Sequence, residues 1–118
     1  MGRRSRRQGR VRAPASEYAD AEGNLLSLRG SLTAGARREY AQVLRGTRAA
    51  DTLEDARARA LELLFERLAV SWTIAGAPIE RQRELVGRLR VASPAEREWV
   101  RGVLREHCAE HFPDLQAP

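Results

Sequence analysis

The sequence predicts a mainly α domain, a small four-helix unit with one short two-stranded β ribbon and a disordered basic N-terminal arm. Three observations carry this expectation. Thr52–Asp55 and Ser93–Glu96 each place a hydroxyl three residues before an acid, the signature of a capping box at a helix start. Apolar residues downstream of both recur at helical spacing. Residues 1 to 12 hold six Arg and no acid, with Val11 the only large apolar side chain after Met1. Such a stretch cannot bury enough surface to offset its ordering entropy. The expected organisation is an arm and linker over residues 1–23, a helical domain over 24–112 and a short tail over 113–118.

The segment Leu25–Leu28 reads as a short strand or extended packing arm, broken by Gly30 and Ser31. A first helix is expected from an N-cap at Thr33 to about Arg45, with Ala36, Tyr40, Val43 and Leu44 at helical spacing and Gly46 to end it. The second opens at Thr52, and Leu53, Ala56, Ala60, Leu61, Leu64 and Leu68 form one stripe. Leu63 and Phe65 widen that stripe, which suggests contact on more than one side. Val70–Ile74 alternates apolar and polar residues, which suits an extended segment with Val70, Trp72 and Ile74 on one face, paired with Leu25–Leu28 as the ribbon. Gly76–Pro78 turns the chain, and Pro78 with Ile79 opens a third helix carrying Ile79, Leu85, Val86 and Leu89. The last helix has Ser93 as N-cap, Pro94 at its first position and Glu96 completing the box. Trp99, Val100, Val103, Leu104, His107, Cys108 and His111 continue it until Phe112–Pro113. Gly102 in its interior costs about 1 kcal/mol relative to Ala, which suggests a close backbone approach there.

At 118 residues the chain has room for one domain and one small core. Only six residues are aromatic, so Trp72 and Trp99 read first as core fillers and second as interface anchors. All 21 basic residues are Arg, which a GC-rich genome explains without any selected chemistry. The arm carries +6, whereas the remaining 15 Arg face 16 acids, so the high isoelectric point belongs to the arm and the body is nearly neutral. Arg3, Arg4, Arg6, Arg7, Arg10 and Arg12 are therefore the candidates for polyanion contact, through salt-dependent phosphate binding. No apolar h-region follows these charges and no segment approaches the ~20 apolar residues of a membrane span, so neither a secretion signal nor a membrane partner is expected. The single Cys108 excludes an internal disulfide and fits a reducing cytoplasm.

Enzymatic chemistry finds little support. His107-Cys108-Ala109-Glu110-His111 spells an H-x-x-E-H zinc motif, but a catalytic zinc needs a third protein ligand and the residues that follow offer only Asp114. A half-buried His pair closing a helix is the expected role. Cys108 and His107 are sequence neighbours whose helical side chains diverge, and there is no G-x-S-x-G elbow or phosphate-cradling Gly loop with Lys. Acids such as Glu54-Asp55 and Glu96/Glu98 sit at helix starts, where the macrodipole accounts for them. No catalytic, cofactor-binding or metal-ligating residue is assigned.

Two segments about forty residues apart remain: Asn24-Leu25-Leu26-Ser27-Leu28-Arg29-Gly30-Ser31-Leu32-Thr33 running into Arg37-Arg38-Glu39, and Ser71-Trp72-Thr73-Ile74-Ala75-Gly76-Ala77-Pro78-Ile79. Together they resemble the small tail assembly chaperones of long-tailed bacteriophages, over roughly Asn24 to Phe112. The resemblance implies a non-enzymatic, mostly helical protein of the host cytoplasm, absent from the mature virion. It further implies binding to the tape measure protein while tail tube subunits assemble around it, with self-association as a further expectation and a frameshift-extended form in many members. The long basic arm is not a feature of that group. By resemblance, contact falls on the second helix and the Arg29/Trp72 region, with Leu28, Arg29, Leu63, Phe65 and Trp72 as partner-binding residues. The alternatives are a small nucleic-acid-associated or regulatory protein using the arm, against which the body shows no recognition helix, and a structural neck or tail subunit.

Overall fold

A computed structural model describes residues 15–46 and 52–118. Eight elements follow one another: β1 (Ser16–Ala19), β2 (Leu25–Leu28), α1 (Ala34–Arg45), α2 (Leu53–Leu68), β3 (Ala69–Ile74), β4 (Ala77–Ile79), α3 (Gln82–Arg90) and α4 (Pro94–His111). The strands form one antiparallel sheet in the order β1-β2-β3-β4. This corrects the expected fold class: the domain is mixed α and β, with a four-stranded sheet where a two-stranded ribbon was expected. The expected pair, β2 with β3, is its centre. The two missed strands are its edges, β1 inside the stretch read as linker and β4 at the stretch read as a helix start.

Cross-strand partners Tyr18↔Leu26, Leu26↔Trp72 and Trp72↔Ile79 align one row of side chains on the inner face. Leu26, Leu28 and Trp72 are fully or almost fully buried there. The next row, Glu17↔Ser27↔Ser71, faces the other way. Between Ser27↔Ser71 and Leu28↔Ala69 the register slips by one residue, so β3 carries a bulge at Val70. The bulge turns Val70 outward, 37 % exposed, where strict alternation had placed it with Trp72 and Ile74. The β3–β4 hairpin closes through Ala75 and Gly76, both at positive φ (52° and 81°), as a two-residue primed turn requires. The Asn24 side-chain oxygen accepts from the Ala75 N–H at 2.9 Å and holds this turn against the β1–β2 end. Pro78 lies in the edge strand β4, where a missing ladder donor is tolerated. The third helix begins only at Gln82.

Helix boundaries follow the caps. Thr33 Oγ1 accepts from Ala36 N–H at 3.0 Å, and Gly46 at φ 71° ends α1 in the left-handed region. Thr52 with Asp55 and Ser93 with Glu96 form reciprocal capping boxes. Helix α2 is the middle of the core. Its Ala60, Leu61, Leu64, Phe65 and Leu68 are all buried, and Phe65 meets Trp72 edge to face with ring centroids 5.7 Å apart. Leu85 and Leu89 of α3 and Val100, Val103 and Leu104 of α4 complete the cluster, with Trp99 packed on its margin. Leu53, at the start of the stripe, is 65 % exposed and outside it. No described helix is long and apolar enough to cross a membrane.

Gly102 corrects a smaller expectation, since a Cβ built there meets nothing within 4 Å and no close approach requires glycine. Gly102→Ala is therefore expected to raise stability by about 1 kcal/mol in urea unfolding, the difference in helix propensity. Phe65→Asp is expected to abolish the cooperative unfolding transition, because truncating a core Phe alone costs ~3–5 kcal/mol and the carboxylate would have no partner. Native-like circular dichroism and a retained transition for Phe65→Asp would contradict this core.

Candidate functional site

The five residues proposed for partner contact divide by burial. Leu28 and Phe65 have no exposed surface and Trp72 has 2 %. They shape the interior and offer no side chain to a partner. Trp72 meets Phe65 edge to face and carries the Arg88 guanidinium over its ring, 5.3 Å from the centroid, and Arg88 is held by Glu96 at 2.6 Å. Leu63 is half-buried at the edge of the core, and Arg29 is exposed. The six arginines of the arm lie outside the described residues.

Arg29 is presented by a fixed backbone. Its N–H donates to the Leu68 carbonyl at 2.9 Å, and its carbonyl lies 2.8 Å from His107 Nε2. The side chain borders an open hollow of about 430 Å³ shared with Thr33, Arg67 and Gln82, between the starts of α1 and α3 and the end of α2. Gln82 also borders a second hollow, of about 460 Å³, with Glu66, Arg83, Val86 and Arg90. The Gln82 amide donates to the Glu66 carbonyl at 3.1 Å, forming the saddle between them. Arg67, Gln82, Arg83 and Arg90 were not singled out in the sequence, where they belong to a charge-interleaved stretch without a distinguishing spacing. A third hollow, of about 380 Å³, separates α1 and the start of α2 from the tail around Leu115. The Tyr40 hydroxyl donates to the Gln116 carbonyl there, at 2.5 Å.

The motif at the end of α4 makes contacts that tie strands to the helix. His107 is fully buried, and both ring nitrogens are engaged. The Arg29 carbonyl can only accept, so Nε2 carries the proton, and Nδ1 then accepts from the Tyr18 hydroxyl at 2.8 Å. The His111 ring stacks on His107 at 4.4 Å, and its Nε2 lies 3.3 Å from Ser16 Oγ. The pair thus fastens the edge strand β1 and the exit of β2 to α4. A metal shared by the two rings would break the Tyr18 bond, and among the described residues no group of three or more His, Cys, Asp or Glu could hold an ion. Burial holds the His107 pKa below the ordinary 6.5, outweighing the opposing effect of the Arg29 carbonyl, and the neighbouring His111 acts in the same direction as burial. Burial also pushes the Cys108 thiol up to about 11, which favours the protonated thiol over the thiolate.

No protein-family profile, no curated protein and no solved structure matches the chain.

The buried imidazole fixes a pH dependence. Below about pH 6.5 the unfolded chain takes up a proton that folded His107 resists, so stability is complete above that pH and falls as pH decreases through the window below it. The slope is at most ~1.4 kcal/mol per pH unit for this group. Glu62 and Glu96, whose pKa values are lowered by hydrogen bonds from Arg90 and Arg88, lose their contributions only below the ordinary carboxylate value of 4.5. Urea unfolding between pH 5 and 7 is therefore expected to show a loss on acidification that His107→Gln flattens. An unchanged slope in that variant would contradict the assignment.

Proposed function

We propose that this chain is a bacteriophage tail assembly chaperone, a non-enzymatic protein that binds the tape measure protein and assists tail tube assembly in the bacterial cytoplasm. One observation carries the reading. The two segments that bear the resemblance, some forty residues apart in the chain, are adjacent antiparallel strands with Leu26 opposite Trp72 and Ser27 opposite Ser71. These residues build one unit, the centre of the sheet, and the Asn24 side chain that opens the first segment caps the turn of the second. The physical task suits a small domain with amphipathic helices on a sheet, because a long tape measure helix with an apolar face aggregates unless that face is covered. Of the residues named for contact, Arg29 and Leu63 have surface to offer, while Leu28, Phe65 and Trp72 are buried in the core.

Co-expression with the tape measure protein of the same genome is expected to keep that protein soluble and to co-purify it with this chain. Mass spectrometry of mature particles is expected to find this chain absent. Failure to co-purify would reject the reading, and a stoichiometric presence in virions would replace it with a structural neck or tail subunit.

A further inference from the structure

The two hollows that meet at Gln82 form one groove across the starts of α1 and α3 and the last turns of α2. Its lining contains four guanidinium groups, from Arg29, Arg67, Arg83 and Arg90, and a single carboxylate, Glu66. Glu39 and Glu62 pair with two of these guanidiniums, so with Glu66 three acids stand against the four Arg, in a body that holds 15 Arg against 16 acids outside the first twelve residues. Two of the four are occupied: Arg67 by Glu39 at 2.9 Å, and Arg90 by both oxygens of Glu62 at 3.1 and 2.7 Å. Arg29 and Arg83, one in each hollow, make no side-chain hydrogen bond or ion pair with any described residue. Between them the lining is mixed, with Leu32 and Ala36 beside Ser31 and Thr33 on one side of the Gln82 saddle, and Val86 and Gly87 beside Glu66 on the other. A Cβ at Gly87 would meet nothing within 4 Å, so that wall is open.

We infer that this groove is the docking site for an acidic, amphipathic segment of a protein partner, whose carboxylates pair with Arg29 and Arg83 while its apolar side chains cover Leu32 and Val86. The inference names the chemistry of the contact for the proposed chaperone and rests on that reading for the partner's identity. Charge complementarity selects the occupant. The neighbouring guanidiniums already engage carboxylates of this chain, Arg90 in the two-pronged geometry that matches the group. A nucleic acid would present a dense, regular line of phosphates, for which two guanidiniums unpaired among the described residues, with the Glu66 carboxylate beside them, are a poor match. The site is also preorganised: the Arg29 backbone is bonded on both sides and Gln82 is tied to α2.

The test has two arms. In the first, the isotope-labelled chain is titrated with a synthetic Leu/Glu amphipathic peptide and with its Leu/Lys counterpart. The Leu/Glu peptide is expected to shift the amides of Ser31, Thr33, Gln82 and Gly87, more at low than at high salt, and the Leu/Lys peptide is not. An R29E/R83E variant is expected to weaken this binding about ten-fold or more without changing its melting temperature, whereas R57E, at the third hollow, leaves it intact. Shifts elsewhere, equal shifts from both peptides, unchanged affinity in R29E/R83E, preference of the groove for a DNA or RNA oligonucleotide, or its occupation by a second copy of the chain would each overturn the inference. In the second arm, R29E/R83E is expected to lose co-purification with the tape measure protein, and retention would overturn the groove while leaving the chaperone reading standing. If the unaltered chain itself fails to co-purify, the chaperone reading falls and the peptide titration still decides the groove.

Discussion

Pairing of β2 with β3 sets Leu26 beside Trp72, and burial of that pair beneath Phe65 of α2 is the contact on which the other elements depend. Neither edge strand could stand without it, since β1 has four residues, β4 has three, and a lone hairpin is marginal in water. Helix α3 also reaches the Trp72 ring through Arg88, whose guanidinium ties it to Glu96 at the start of α4. Helix α1 lies on α2 and closes through Tyr40 on the tail, while Arg37 covers the Phe112 ring at 5.2 Å. With six aromatic residues in the chain, the interior relies on a few large contacts supplemented by Leu and Ala. Loss of Phe65 or Trp72 therefore removes the surface against which sheet and helices meet.

The sequence was most legible where local chemistry decides alone. Thr33, Thr52, Ser93 and Gly46 occupy the cap positions their residue types imply, because a capping hydroxyl or a left-handed glycine needs no tertiary partner. It was least legible at the sheet edges. Ser-Glu-Tyr-Ala has one large apolar residue, and its strand character comes from the ladder with β2 and from the bond between Tyr18 and His107, 89 residues away. Pro78-Ile79 offers a plausible first helical turn, and only the primed turn at Ala75-Gly76 converts it to a strand. That turn lacks the Asn-Gly or Asp-Gly signature, and Asn24 supplies the missing polar support from another strand. Val70 was misplaced for the same reason, since a bulge is a property of the pairing and not of either strand alone.

The candidate site shows the matching limit. An excess of apolar residues on α2 is equally consistent with a partner's surface and with a core reached from two sides, and the periodicity of one helix cannot separate the two. Leu64 and Phe65 are consecutive and both buried, because the sheet covers one flank of α2 and neighbouring helices the others. Arg29 entered only through the resemblance, as part of Leu28-Arg29-Gly30. Arg67 and Arg83 did not enter at all, since their association with Arg29 depends on three elements converging at Gln82.

Polar contacts in this fold divide into two kinds with different consequences. The exposed Arg67–Glu39 pair is of a type that contributes little to stability, generally under ~1 kcal/mol. The groove guanidiniums are therefore poorly explained as fold stabilisers, whereas they are well suited to recognition, where rim charges govern encounter and register. His107 is the opposite case: it is fully buried, both nitrogens are satisfied, and its partners lie on β1 and at the end of β2. A buried polar group with every bond made favours one packing over alternatives, because slipping β1 along α4 would leave the Tyr18 hydroxyl or the imidazole unpaired. The bond from His107 to the Arg29 carbonyl links the two kinds. The same histidine that registers the edge strand is also bonded to the backbone that carries Arg29, so the polar core fixes where that side chain leaves the chain beside the proposed docking groove.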